Sequence, residues 1–479
     1  MPGRAVKLGQ ISFLSLLLFF GGGCASLKAQ MEQIKASKAQ LSLDKLQEDT
    51  FRFFWETTNP ETGLAPDRYP SDSPASVAGM GFALTAYGIG VERGFISRKD
   101  AGERTLATLR YLTDLPMGPE RTGKAGYQGF YYHFLQMSDG TRNMRWQVEL
   151  STIDTALLMA GVLFAQTYFD GESEVEAKIR DLADFLYTRV NWPWAQNFPP
   201  LLTLGWQPES GFLPYDWAGY SEGMLLYILA LGSPTHPIEK NAWDKWAEHY
   251  ADDWVKDNGY EYLTFSPMFG HQYSHAWIDF RGIQDDYMRS KKSDYFKNSR
   301  LAAYAQRQYA IRNPGGWAGY GENFWGLTAS DGPGNFVIGS GRGAKQYWAY
   351  LARGVGPHSA HDDGTIAPTA FLGSMPFAPE IVLPALNAVY AKYGEHIYGK
   401  YGFLDAFNPS FQHDLPSPTG KVVPGLGWFS HDYIGIDQGP ILVMTENHRS
   451  GFVWNVMRKN PYIRAGLKKA GFKGGWLEE

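Results

Sequence analysis

The feature that most constrains this chain is a succession of about a dozen segments with helical apolar periodicity, with no alternation of strands and helices among them. From about Leu41, the bulky residues Leu43, Leu46, Phe51, Phe53, Phe54 and Trp55 give a first helix its apolar side, and Asn59, Pro60 and Gly63 stop it. Further helices are expected over residues 73–91, 98–112, 150–168, 173–190, 221–231, 238–254, 292–311, 365–372, 380–393, 438–447 and 454–459. Between them lie loops rich in Gly, Pro and aromatic residues, notably 193–219, 313–331 and 394–435, some with room for short hairpins. A parallel sheet would need strands between the helices, and a solenoid would need a strict repeat; neither pattern is present. The helix count suits an all-α (α/α)6 toroid, six inner helices ringed by six outer ones, with long loops forming a cleft at one rim. No Ser/Pro-rich linker interrupts residues 41–479, so they are expected to form one domain.

The first residues read as a targeting segment. Arg4 and Lys7 precede an apolar run over residues 11–20, which ends in Gly21, Gly22 and Gly23. Cys24, the one cysteine of the chain, follows directly and resembles the lipid-modified cysteine of bacterial lipoproteins, although Gly21 stands where such sites usually carry Leu. Ala25 and Ser26, with no Asp, then imply the outer membrane. The expected organisation is a lipoprotein-type signal over 1–24, a linker over 25–40 and the domain over 41–479, in a periplasmic or outer-membrane lipoprotein of a Gram-negative bacterium. The alternative is an ordinary signal peptide cleaved a few residues later. With no second cysteine, stability must come from a large core, which roughly 450 residues can bury. No later apolar stretch is long enough to span a bilayer, so membrane contact is expected only through the lipid anchor. The net charge of −5, without long runs of one sign, argues against a nucleic-acid partner. A neutral partner is expected, bound by a monomer without a cofactor. Sixteen Trp, 28 Tyr and 54 Gly fit rings that stack on sugars from flexible loops, and equally fit a large aromatic core.

Several constellations carry possible chemistry. Gly219, Tyr220, Ser221, Glu222 and Gly223 match the spacing of an esterase nucleophile elbow, but that elbow needs a preceding strand, and residues 214–218 are loop-like. The favoured reading makes Ser221 an N-cap and Glu222 the first residue of an inner helix. A helix dipole lowers a carboxyl pKa there, whereas burial among Tyr215, Trp217 and Tyr220 raises it, as a general acid requires. Asp437, just before the apolar run 441–444 and with Pro440 after it, is read as an N-cap or as a second carboxylate. Glycoside hydrolysis needs two such groups across the scissile bond. Glu149 and Asp154 flank Ser151 and Thr152. Ser151 and Asp154 resemble a capping box, and the two acids, about 140° apart on a helix, cannot share a face unless Glu149 precedes it.

His271, His275 and Asp279 recur every four residues and on a helix would line one face, a metal-like arrangement; Gln272 stands where a zinc protease carries Glu. Sugar contact is favoured over metal for His275, Trp277, Asp279 and Arg281, with an Asp279–Arg281 ion pair as the plain alternative. The run 320–331 and the run 361–365 mix acids, amides and rings as sugar subsites do, which nominates Tyr320, Glu322, Trp325 and Asp363 beside Trp217 and Tyr220 as substrate contacts; a solvated turn is the alternative for both. Gly339, Gly341, Gly343 and Lys345 lack phosphate-loop spacing.

Thr50 to Trp55 with Asn59, Pro60, Thr62, Gly63 and Leu64, then Gly219 to Met224, Ser274 to Gly282, Trp317 to Asp331, and Gly435 to Pro440 with Glu446, Asn447 and Ser450 together resemble bacterial glucoamylase-like proteins, glycoside hydrolase family 144. The similarity runs over residues 43–454. It implies a single (α/α)6 toroid and inverting hydrolysis of β-1,2-glucan to sophorose and longer sophorooligosaccharides. It also implies an acid at Glu222, with further acids among Asp154, Glu149, Asp437 and Asp279, the base being Asp437 or Asp154. A non-catalytic glucan-binding lipoprotein, and a lyase or esterase on the same toroid, are the competing readings.

Overall fold

The computed structural model describes residues 40–357 and 361–479. The signal segment, Cys24 and most of the linker lie outside the described residues. Twelve helices of the described chain alternate between an outer and an inner ring: α1 (Leu43–Thr57), α2 (Val77–Glu92), α3 (Arg98–Asp114), α4 (Thr152–Tyr168), α5 (Glu174–Thr188), α6 (Gly223–Gly232), α7 (Lys240–Trp246), α8 (Tyr273–Trp277), α9 (Tyr295–Arg312), α10 (Pro368–Leu372), α11 (Pro379–Ile397) and α12 (Gly435–Arg449). The even-numbered helices are the inner ones. All ten residues of α6 and all five of α8 and of α10 are buried, and α2 is buried continuously from Val77 to Gly90. A helix that is apolar all round has no water-facing side and must sit inside. Outer helices are two-faced instead: α5 buries Ile179, Ala183, Leu186 and Tyr187 and leaves its acidic first turn outside. This is the (α/α)6 toroid expected from the helix count.

The ring is drawn tight by glycine and by side-chain hydrogen bonds. A Cβ on Gly81 would lie 2.2 Å from the Leu157 carbonyl oxygen, and one on Gly161 2.1 Å from that of Gly81, so α2 and α4 touch backbone to backbone. Gln272, just before α8, donates to the Ala370 carbonyl at 2.7 Å and to Ser374 Oγ at 2.9 Å, joining α8 to α10. The Trp277 indole donates to Thr85 Oγ1 at 2.9 Å, joining α8 to α2. Two further helices, α13 (Phe452–Met457) and α14 (Pro461–Lys469), follow the ring, and α14 lies against α6 through Gly232 and Gly466.

Some expected boundaries move. Residues 238–254 do not form one helix: α7 ends at Trp246, a single turn covers Tyr250–Asp253, and a hairpin pairs Trp254–Asp257 with Tyr260–Leu263. Asn258 and Gly259, with φ of 48° and 91°, supply the two left-handed residues of its tight turn. The remaining strands are two to four residues long, and every named pairing is antiparallel.

Candidate active site

Three inner helices present an acid at their N-termini. In α4, Ser151 is the N-cap: its Oγ accepts from the Asp154 amide at 3.2 Å and donates to the Asp154 carboxylate, as the capping-box pattern predicts. Glu149 lies before the helix, in the extended approach to it, so the angular objection to sharing a site does not apply. Both acids meet on His133: Glu149 Oε1 is 2.9 Å from Nδ1 and Asp154 Oδ2 is 3.6 Å from Nε2. Burial opposes a charge on that ring, but Asp154, Glu149 and Asp67 outweigh it and hold the imidazolium up to about pH 9.

In α6 the expected boundary shifts by one residue. Glu222 is itself the N-cap, and Ser221 Oγ accepts from the Gly223 amide at 3.2 Å. Glu222 Oε2 is buried and finds no hydrogen-bond partner among the described residues. Burial, reinforced by the charge of Asp154 and opposed by a backbone N–H, pushes this carboxyl up to about 7. The dipole argument therefore loses to desolvation. No strand leads directly into the segment, and no parallel sheet is present among the described residues, so the nucleophile-elbow reading of Ser221 has no structural basis.

In α12 the N-cap is Ile434, not Asp437; the acid lies in the first turn, because the strand Tyr433–Ile434 runs directly into the helix. Asp437 is buried, and burial with the nearby charges of Asp331 and Asp67 pushes it up to about 7, against a hydrogen bond with Asp405 and the charge of Arg68. Asp405 accepts from the Asp331 amide at 2.7 Å, and burial beside Asp437 and Asp331 drives its pKa well above the carboxylate range. Arg68 is the cation of this group, 2.9 Å from Asp331, 3.5 Å from Asp67 and 3.6 Å from Asp432. The two groups of acids converge on Tyr273 at the start of α8. Besides burial, Asp437, Tyr350, Glu222 and Asp154 all raise its hydroxyl.

Two cavities are lined by chain neighbours of these acids. One, of about 300 Å³, is lined by Asp67, Arg68, His133, Phe134, Trp146, Tyr350 and Ile436, the last adjoining Asp437. The other, of about 610 Å³, is lined by Tyr215, Trp217, Ser221, Thr264 and His361 among others, Ser221 adjoining Glu222. The strand Tyr350–Ala352 borders both. Aromatic rings stand at each outer end: Trp146, 47% exposed, meets Phe134 edge-on at 5.3 Å, and Phe134 stacks on His133 at 4.1 Å. On the other side Tyr215 is 68% exposed, and the Trp217 indole is aimed by a 3.0 Å bond to Thr152 Oγ1.

The remaining nominated contacts are placed elsewhere. The proposed His271, His275 and Asp279 face does not exist, because α8 is only five residues long and Ile278 is extended. His271 donates from Nε2 to the Phe265 carbonyl at 3.2 Å inside the core, and burial drives it down to about 3. His275 is buried against Ser299 Oγ at 3.2 Å, and Trp277 is buried on Thr85. Asp279 is enclosed by Arg281 at 2.8 Å and by Arg458, while Arg281 lies 4.4 Å over Trp454. Tyr220 is the exception, since it lines the larger cavity, although it stacks on Tyr295 at 5.8 Å with little of its ring exposed. Asp363 is a fully buried bidentate partner of Arg353, both contacts 2.8 Å, and Trp325 is buried against Phe371. Glu322 is an exposed partner of Arg307, and Tyr320 donates to Asp362 at 2.7 Å. These rings and charges fill or staple the scaffold, since a buried ion needs its partner before it has any capacity for substrate.

The sequence did not nominate His133, Asp67, Arg68, Tyr273, Asp405 or Tyr350. Asp331 was within reach, as the last residue of the aromatic and acidic run 320–331. His133 stands in Phe130–Phe134 with no acid beside it in sequence, and its partners arrive only when the α4 approach folds against it.

A family model described as "Putative glucoamylase" matches residues 214–461, just over half of the chain. An exo β-1,2-glucooligosaccharide sophorohydrolase (non-reducing end) of Parabacteroides distasonis is 31% identical over 457 residues, 89% of this chain and 57% of that protein. The chain thus spans little more than half of that relative's length. The endo-β-1,2-glucanase of Chitinophaga pinensis, solved with sophorotriose and glucose, is 30% identical with a TM-score of 0.76, covering 91% of this chain and 100% of the other. The endo-β-1,2-glucanase of Talaromyces funiculosus, solved with sophorose, has a TM-score of 0.60 at 10% identity, over 87% of this chain and 85% of the other, a likeness of fold alone. The chain belongs to the family of glucoamylase-like proteins grouped as glycoside hydrolase family 144.

Proposed function

We propose that this chain hydrolyses β-1,2-glucan with inversion, releasing sophorose and longer sophorooligosaccharides. The observation that carries the chemistry is the pair Glu222 and Asp437, two buried carboxyls at inner-helix N-termini, each pushed up to about 7 and each next in the chain to a residue that lines a cavity. Glu222, with one oxygen unpartnered, gives its proton to the glycosidic oxygen as the bond to the anomeric carbon breaks. Asp437 takes a proton from the water that attacks that carbon from the opposite face. An inverting pair works across about 6.5–9.5 Å, with the water between the sugar and the base. Asp154 stays on its cap and acts through its charge on Glu222. Trp146, Tyr215, Trp217 and Tyr350 are the sugar platforms, since their rings face the cavities. The proposal includes export through residues 1–24 and a lipid anchor at Cys24, with a monomer as the working unit; Cys24→Ala should release the protein from the membrane fraction.

The β-1,2 linkage is supported by the names of the relatives. The test is incubation with β-1,2-, β-1,3-, β-1,4- and α-linked glucans, with products read by size and by the anomer first formed. Release of α-anomeric sophorooligosaccharides from β-1,2-glucan alone is expected. Cleavage of another linkage, or a β-anomer formed first, overturns the proposal.

A further inference from the structure

His133 lines the smaller cavity and is held through both its backbone and its ring, yet no step of the hydrolysis proposed above uses it. Its amide donates to the Glu149 carbonyl at 3.0 Å and its carbonyl accepts from the Val77 amide at 3.3 Å, which fixes the backbone between the α2 and α4 approaches. Phe134 stacks flat on the ring at 4.1 Å, and the two ring nitrogens address two different acids, Glu149 at 2.9 Å and Asp154 at 3.6 Å. Asp154 in turn is tied to Ser151, so it cannot follow the ring if the ring moves.

We propose that His133 is a positioning residue whose imidazolium keeps Asp154 ionised beside Glu222, and that the ionised Asp154 keeps the proton on Glu222. This rests on Glu222 being the general acid. The groups facing this relay are few. Glu149, Asp154 and Asp67 face His133; Arg68 neutralises Asp67 from the adjoining strand, and Arg142 acts on Glu149. Asp154 faces His133, Glu149, Asp67, Glu222 and Tyr273. Burial and the Glu149 carboxylate both favour a neutral Asp154, and the cation opposing them is His133. Without that cation Asp154 takes up a proton. Its repulsion of a Glu222 carboxylate then disappears, and Glu222 gives up its proton at lower pH.

The sign of the effect is the test. In His133→Gln, which keeps a donor toward Glu149 but no charge, the alkaline limb of the kcat/KM profile should move to lower pH by about one unit. Asp154→Asn should move it the same way, and the double variant should move it no further than either alone. A simple loss of a neighbouring cation, with Asp154 still ionised, would move the limb upward; that result, or an unmoved limb with lower thermal stability, overturns the proposal. Ring-nitrogen NMR of the unaltered protein needs no variant: His133 should remain an imidazolium through neutral pH, and a neutral ring at pH 7 is equally decisive against it. Normal turnover by Glu222→Gln would instead remove the reading on which the relay rests, while leaving the NMR result to stand by itself.

Discussion

The carboxylate of Asp154, in the first turn of α4, adds to burial in keeping Glu222, at the N-cap of α6, protonated up to about pH 7. In the reaction proposed above, turnover by this pair of helix ends depends on that proton. Glu222 must carry it and Asp437, also pushed up to about 7, must not. Activity is therefore expected to fall above pH 7 as Glu222 ionises and below pH 7 as Asp437 is protonated, giving a narrow bell near neutrality. Initial rates on β-1,2-glucan from pH 4 to 10 measure it, and each of Glu222→Gln and Asp437→Asn should lower kcat by about 10²–10⁴ while the fold is kept.

The same burial carries a stability cost with a definite sign. The folded pKa of Glu222 is above its ordinary 4.5, so folding favours the neutral form; this contribution is complete below pH 4.5 and is lost as pH rises through about 7. Glu222→Gln removes the charge to be buried. It should match the parent at pH 4 and exceed it by about 3 kcal/mol at pH 8. Urea unfolding at the two pH values checks this, and equal stabilities at pH 8 would count against a desolvated Glu222.

Asp363 was nominated from sequence as a sugar contact and is a buried partner of Arg353 instead. Asp363→Asn leaves a guanidinium buried with its charge unmatched. A loss of about 3–5 kcal/mol is expected, with KM for glucan unchanged in the protein that remains folded. Thermal melts and Michaelis curves separate the two roles.

The α2–α4 seam has room for hydrogen only. Gly81→Ala would push a methyl to within 2.2 Å of the Leu157 carbonyl oxygen, and helices that meet through backbone cannot yield by a rotamer change. A cost of about 1–3 kcal/mol or more is expected by chemical denaturation. Gly321→Ala, with nothing within 4 Å of the new carbon, is the matched control and should change stability by less than about 0.5 kcal/mol.

Trp146 borders the smaller cavity with nearly half of its ring exposed. Trp146→Ala should raise KM for long β-1,2-glucan about tenfold, the scale of one aromatic contact, and leave kcat nearly unchanged. Oligosaccharides too short to reach this ring should be cleaved as before, and equal effects on short and long substrates would place the ring outside the sugar path.

The apolar runs that became α2, α4 and α6 are hydrophobic on every side, and a chain with several such helices and no strand-helix alternation has few ways to bury them all. Most helices, the toroid and the N-terminal acids Asp154, Glu222 and Asp437 were therefore readable along the chain, but the five-residue inner helix α8 was not. Local signals also placed the Ser151 cap, whose partners are three residues apart. Tertiary structure decided what depends on distance through space. His133 is 16 residues from Glu149 and Asp331 is 74 from Asp405, yet each pair is in contact. The His271, His275 and Asp279 spacing promised a shared face and delivered three separate burials, because helical periodicity has meaning only while the helix continues, and α8 ends at Trp277. Desolvation decided the state of Glu222 in the same way. The dipole that opposes its proton is a property of local sequence, whereas the burial that overrides it comes from the neighbours that the closed ring assembles around the carboxyl.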